Sequence, residues 1–175
     1  EANDMLLPHN VSNSVQFSRG DIEQGFAEAD EIVEFSYDSL TVHQGYIEPQ
    51  VCLVSIEPLG NLKVYTSTQA AFYCRSRVAD AVGLPLQEVE VVPMPVGGGF
   101  GGKFVLIEPL VAAAAKAVGR PVRLAYTRME DFLAGNPAPH CRIDVKLGAK
   151  KDGTFTALSG NLTFDTGSGN ASPLQ

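Results

Sequence analysis

The sequence predicts an α+β fold: a mixed sheet with β-hairpins at both ends and about two longer helices packed on it. Three observations carry this. Two β-rich runs flank Pro58-Leu59-Gly60-Asn61, and two more flank Lys150-Lys151-Asp152-Gly153, both with turn chemistry. Between those hairpins, Gln69–Val82 and Leu106–Val118 place apolar residues at helical spacing. Short strand-like runs separate the helices, so strands and helices interleave only mid-chain.

Residues 1–20 are polar and turn-rich (Pro8, Asn10, Ser12, Asn13) and read as an arm or linker, with residues 21–175 as the domain proper. Asp21 suits the N-cap of a short helix reaching Asp30, with Ile22, Phe26 and Ala29 on one face. Glu31–Leu40 alternates Ile32, Glu34 and Ser36 against Val33, Phe35 and Tyr37, as a strand does. Val51–Glu57 and Leu62–Ser67 are the arms of the first hairpin. In Gln69–Val82, Ala70, Ala71, Cys74, Val78, Ala81 and Val82 trace one stripe. Ser67 or Thr68 can cap that helix, and Gly83 with Pro85 ends it. Val89–Val92 is a strand closed by Pro93 and Pro95. Leu106–Val118 is nearly all apolar and reads as a buried helix. Pro109 belongs in its first turn, which puts the start near Ile107 or Glu108. Pro121–Tyr126 is a strand and Arg128–Leu133 a short helix. His140–Gly148 and Thr154–Phe164 form the closing hairpin.

Composition narrows the function classes. The 175 residues are 45% apolar and 19% charged, a globular profile. Thirteen basic residues stand against 20 acidic ones, net −7, which disfavours nucleic acid and anionic membrane surfaces as partners. No apolar run approaches the roughly 20 residues that cross a bilayer. The first residues show no secretory signal pattern. Cys52, Cys74 and Cys141 are widely spaced, without a CxxC pair, and read as buried thiols of a cytoplasmic protein. His9, His43 and His140 share no face, so no metal site is expected among them.

Gly97-Gly98-Gly99-Phe100-Gly101-Gly102 is the strongest local signal. It matches two phosphate-binding patterns in part. The dinucleotide pattern fails because Pro93 and Pro95 interrupt the preceding junction and Pro109 delays the next helix. The Walker A pattern fails at its last position, where Phe104 replaces the hydroxyl that holds magnesium. A glycine run still lets backbone approach a ligand closely and offer N–H groups to it, with Phe100 standing out as a planar wedge. Lys103 can meet either a phosphate or a neighbouring carboxylate.

Taken in order, five segments resemble the molybdenum hydroxylases, the family of xanthine dehydrogenase and aldehyde oxidase. They are Asn10–Ala29, His43–Pro49 (HQGYIEP), Thr66–Gln69 (TSTQ), Gly97–Lys103 (GGGFGGK) and Gly119–Arg123 with Arg128–Asp131 (GRPVR…RMED). The resemblance implies a molybdopterin cofactor, either plain or in its cytosine dinucleotide form. It implies hydroxylation of an aldehyde or N-heterocycle with oxygen from water. Iron–sulfur clusters and FAD are then expected in other domains or subunits. Partners are a small-molecule substrate, the remaining part of the molybdenum domain, and the iron–sulfur and flavin components.

By the same resemblance, Gln69 is the glutamine that hydrogen-bonds an oxygen on the metal. Gly98, Gly99, Phe100, Gly101 and Gly102 hold the cofactor, with Gln69 and Phe100 in catalytic positions. Phe104 lines the substrate pocket, where purine-hydroxylating members carry glutamate. The family's general base is a glutamate expected beyond Gln175, so the chain reads as one portion of a molybdenum domain, inactive in isolation. His43 and Glu48 read as structural hydrogen-bonding residues, and Arg120, Arg123 and Arg128 as surface partners of Glu130 and Asp131. Two other classes compete: a nucleotide-binding module using Gly97–Lys103, and a non-catalytic α+β interaction domain.

Overall fold

A computed structural model describes residues 11–165 and residue 167. Two units, each with its own sheet, make up the chain: the described parts of Glu1–Thr41 and Pro139–Gln175, and Val42–Ala138.

In the first unit, residues 11–19 form neither helix nor strand. Helix α1 (Ile22–Ala27) starts where Asp21 accepts from the Gln24 N–H at 3.0 Å, as its N-cap position predicts. Strand β1 (Glu31–Ser39) pairs antiparallel with the first arm of the closing hairpin. The sheet therefore joins one early strand to a hairpin more than a hundred positions later in the sequence. Gly25 makes the helix contact possible: a Cβ there would stand 2.5 Å from the Thr156 carbonyl oxygen.

The second unit contains the larger core. Strands β2 (Val51–Ile56) and β3 (Leu62–Thr66) form the expected hairpin, with Gly60 in the left-handed region at φ +91°. Helix α2 (Ala71–Val82) carries the chain from β3 to β4 (Val89–Pro93), which runs parallel to β3. Helix α3 (Glu108–Val118) leads to β5 (Val122–Ala125), antiparallel to β2. The strand order is β4-β3-β2-β5, a mixed sheet as predicted. Pro109 lies in the first turn of α3, and Gly83 and Gly119 end α2 and α3 at φ +66° and +65°. Cys52, Val54, Leu62 and Val64 on the sheet meet Cys74, Val78, Val111, Ala112 and Ala115 on the helices.

Three expectations change. The closing hairpin, β6 (Cys141–Ala149) with β7 (Phe155–Phe164), does not extend this sheet but joins β1 in a separate one. Helix α3 is buried on one face only, since Leu110 and Val118 are exposed. Gln69 precedes α2, whose N-cap is Ala70 without a side-chain cap bond. Thr68 acts one step earlier, accepting from the Ala70 N–H at 3.1 Å.

Helix α4 (Arg128–Ala134) follows β5. Its Thr127 and Glu130 close a reciprocal capping box. The topology gathers four segments at one end of the four-stranded sheet. Parallel β3 and β4 both finish there, and the register Cys52↔Thr66 sets the start of β2 beside them. Val51↔Ala125 brings the end of β5 to the same edge. Tyr46–Gln50, Ser67–Gln69, Met94–Lys103 and the start of α4 therefore converge. Strand ends of this kind are where open α/β sheets build ligand sites.

Candidate functional site

The glycine run is laid against the Tyr46–Gln50 segment. The Gly97 N–H donates to Glu48 Oε2 at 2.7 Å, and the Glu48 N–H returns a bond to the Gly97 carbonyl at 3.2 Å. Gln50, 3% exposed, donates from Nε2 to the Gly102 carbonyl and to the Tyr46 hydroxyl oxygen, both at 3.0 Å. Three glycines are needed for this fit. A Cβ on Gly97 would lie 2.6 Å from Glu48 Cβ, one on Gly102 2.8 Å from Tyr46 Cε1, and one on Gly99 2.7 Å from Gln69 Cδ.

The opposite side of the loop is open. Phe100 has φ +48° and is 75% exposed, and Gly101 has φ +87° with nothing within 4 Å of an added Cβ. A phenylalanine in the left-handed region is strained, which marks the loop as a candidate functional element.

Gln69 joins the two halves of the site. Its backbone N–H donates to the Lys103 carbonyl at 2.7 Å, and its Oε1 accepts from the N–H groups of Gly101 at 3.0 Å and Lys103 at 3.2 Å. Two donors on one oxygen fix the amide orientation, leaving Nε2 without an acceptor among the described residues. The N–H groups of Gly98, Gly99 and Phe100 meet no acceptor among the described residues. Predicted residues Gln69, Gly98, Gly99, Phe100, Gly101 and Gly102 thus come together. Phe104, 48% exposed, follows directly, its carbonyl accepting from Thr68 Oγ1 at 2.6 Å.

Lys103 is 2% exposed, and its Nζ lies 2.6 Å from Glu48 Oε2, 3.4 Å from Ser67 Oγ and 5.0 Å from the Tyr46 ring centroid. Of the two readings of this lysine, carboxylate neutralisation is the one observed. Burial pushes the Glu48 carboxyl up, but the Lys103 ammonium and the Gly97 N–H outweigh it and hold it below its ordinary value. With Lys103 consumed in this pair, the loop lacks the cation a Walker-type phosphate site requires.

Beneath the loop, fully buried Asp131 accepts from the Tyr46 hydroxyl and the Gln50 N–H, each at 3.2 Å, and from Arg128 Nη1 at 3.1 Å. His43 packs against Tyr46 at a 45° tilt with ring centroids 4.9 Å apart, its Nδ1 accepting from the Gly45 N–H. Burial and Asp131 raise the Tyr46 phenol against an opposing bond from Gln50, so it remains a neutral donor. Arg128 also donates to the Ile47 carbonyl; its expected pairing with Asp131 is present, but with a fully buried acid and not at the surface. Glu130 serves the capping box instead. The sequence reading missed Gln50 and the central place of Asp131. The polar Gln50 at the apolar start of β2 was the available signal. His9 lies outside the described residues.

Comparison with known proteins gives the family of the chain. Residues 5–174 match the family described as the molybdopterin cofactor-binding domain, and the chain belongs to that family. A probable hypoxanthine oxidase of Escherichia coli (strain K12) is 39% identical over 159 residues, covering 90% of this chain and 16% of that protein. Aldehyde oxidase 4 of Arabidopsis thaliana is 36% identical over 157 residues, covering 85% of this chain and 11% of its own length. Among solved structures, the aldehyde oxidoreductase of Desulfovibrio gigas superposes with TM-score 0.72 and 32% identity, over 83% of this chain and 16% of that one. The chain therefore spans about one-sixth of the first of these relatives.

Proposed function

We propose that this chain supplies one wall of the cofactor site in a larger molybdenum hydroxylase acting on an aldehyde or N-heterocycle. The observation that carries the reading is Gln69. Its oxygen is held by the loop it touches, so its amide nitrogen is left without an acceptor among the described residues, on an exposed residue beside the open Phe100 and Gly101. The residues fit the cofactor: free N–H groups at Gly98, Gly99 and Phe100 suit its oxygen-rich groups, and Gly101 leaves room for close approach. When bound, the molybdenum centre supplies the two-electron chemistry that places water-derived oxygen on carbon.

In this reading Gln69 orients the bound group, Gly98–Gly102 seat it, Phe100 walls the site, and Phe104 lines the substrate side. An apolar Phe104 favours an aldehyde-type substrate over a purine. Iron–sulfur and flavin components and the rest of the molybdenum domain complete the enzyme, with the pterin either plain or a cytosine dinucleotide. No helix among the described residues is long and apolar enough to cross a membrane. Three buried free thiols support a cytoplasmic setting.

The test is metal analysis of the full-length parent beside turnover of aldehydes and purines. Stoichiometric molybdenum with aldehyde turnover is expected. A parent purified without molybdenum, and not activated by the cofactor, would sink the reading.

A further inference from the structure

Lys103 is the point at which three segments of the site meet, and its backbone and side chain do different work there. Its carbonyl accepts from the Gln69 N–H at 2.7 Å and from Thr68 Oγ1 at 3.3 Å, while its own N–H donates to Gln69 Oε1 at 3.2 Å. Residue 103 thus holds both the backbone and the side chain of Gln69. The side chain runs the other way, burying its ammonium against Glu48 Oε2 at 2.6 Å. That same carboxylate oxygen accepts from the Gly97 N–H at 2.7 Å, at the opposite end of the loop. One oxygen of Glu48 therefore closes Gly97–Lys103 into a ring whose two ends are tied to the same atom.

We infer that the Glu48–Lys103 pair, a buried ammonium on a half-buried carboxylate, is a clasp, and that Lys103 is a positioning residue that sets the glycine loop and the Gln69 amide for the cofactor. The inference rests on the proposed cofactor role of the loop, which it extends to two residues that do not face the open side. A buried ammonium with a single carboxylate partner has no equally good alternative position, because leaving Glu48 means losing a charge-assisted bond in a low-dielectric site. The loop itself supplies little rigidity. Its glycines have wide conformational freedom, and Phe100 sits at an unfavourable φ that the surroundings must enforce. A clasp at both ends is what enforces it.

The experiment uses the full-length parent and the variants Lys103→Met and Glu48→Gln/Lys103→Met, the second removing both charges so that none is left buried alone. Amide hydrogen exchange is followed for the loop and, as an internal control, for β2 and β3. Molybdenum content is measured after dialysis. Expected is loop exchange about tenfold faster, as for the loss of one charge-assisted hydrogen bond, with the strands unchanged. Molybdenum retention falls with it in both variants. Unchanged loop exchange would overturn the inference. So would a loosened loop with full molybdenum, or loss of strand protection in both variants, which would make the pair a general core element. A wild-type parent lacking molybdenum would defeat the cofactor reading instead, while the exchange data would still decide whether the clasp exists.

Discussion

Gln69 offers its two ends to different partners, and substitutions can separate them. Gln69→Ala removes the outward donor and also frees the Gly101 and Lys103 N–H groups from their shared acceptor. Gln69→Glu keeps that acceptor and replaces only the donor. Both should lose about 2.7–4 kcal/mol of transition-state stabilisation, a roughly 100- to 1,000-fold fall in turnover, as for other single donors at reacting oxygens. Only the alanine variant should speed amide exchange in Gly97–Lys103. Steady-state rates and exchange measured on the same preparations check this. Full activity in the glutamate variant would take Gln69 out of the site. Gly101→Val acts through the backbone. At φ +87° a β-branched residue costs about 1–3 kcal/mol even with open space around it, and the branch enters the space assigned to the cofactor. Molybdenum content and turnover should both drop, and a variant retaining both would remove Gly101 from the contact.

Between elements, the consequential contacts are polar and buried. Helix α4 is fastened to the start of β2 and the Tyr46 turn by Asp131, with Arg128 adding a bond to the Ile47 carbonyl. Asp131→Ala leaves the Tyr46 hydroxyl and the Gln50 N–H without their acceptor. Each stranded buried donor costs about 1–3 kcal/mol, so a fall in melting temperature is expected, together with faster exchange in Tyr46–Gln50. A melting curve like that of the wild type would show the network to be redundant. The clasp adds a pH dependence. The Glu48 carboxyl sits below its ordinary value of 4.5 in the folded chain. Its contribution is therefore complete above that value and is lost as pH falls through the lowered folded value. The stability gap between wild type and Glu48→Gln should be widest near neutral pH and close only well below 4.5. A gap independent of pH would mean that the carboxylate charge contributes nothing.

Across the whole molecule, the cysteines report on the two units separately. Cys52 and Cys74 are fully buried in the core of Val42–Ala138, while Cys141 lies on β6 of the other unit. Burial, with Glu108 nearby, pushes the Cys74 thiol up to about 12 and the Cys52 thiol higher still. Thiolate is the reactive form, so neither should label with an alkylating reagent at pH 8 while its unit is folded. With rising denaturant, Cys52 and Cys74 should become reactive together, on a curve set by their own unit. Mass spectrometry of labelled peptides reads the three sites individually. Early labelling of Cys52 or Cys74 in the absence of denaturant would contradict the packed core.

By itself the sequence determined where elements start, stop and turn. Asp21 caps α1, Pro109 opens α3, Gly83 and Gly119 close helices, and Gly60 turns the first hairpin, because each depends on a few neighbouring residues. The motif order also singled out Gln69, and the glycine loop stood out because backbone without Cβ atoms is visible as composition. Tertiary structure decided the rest. Strand β1 pairs with β6 across more than a hundred positions of chain, and no local pattern encodes that choice over joining the other sheet. Whether Lys103 faced a phosphate or a carboxylate was open until β2 and β3 aligned and brought Glu48 to it. Asp131 looked like one acid of a surface pair until α4 folded under the Tyr46 turn. A buried charge takes its identity from its partner, and partners distant in sequence meet only when the sheet fixes its register.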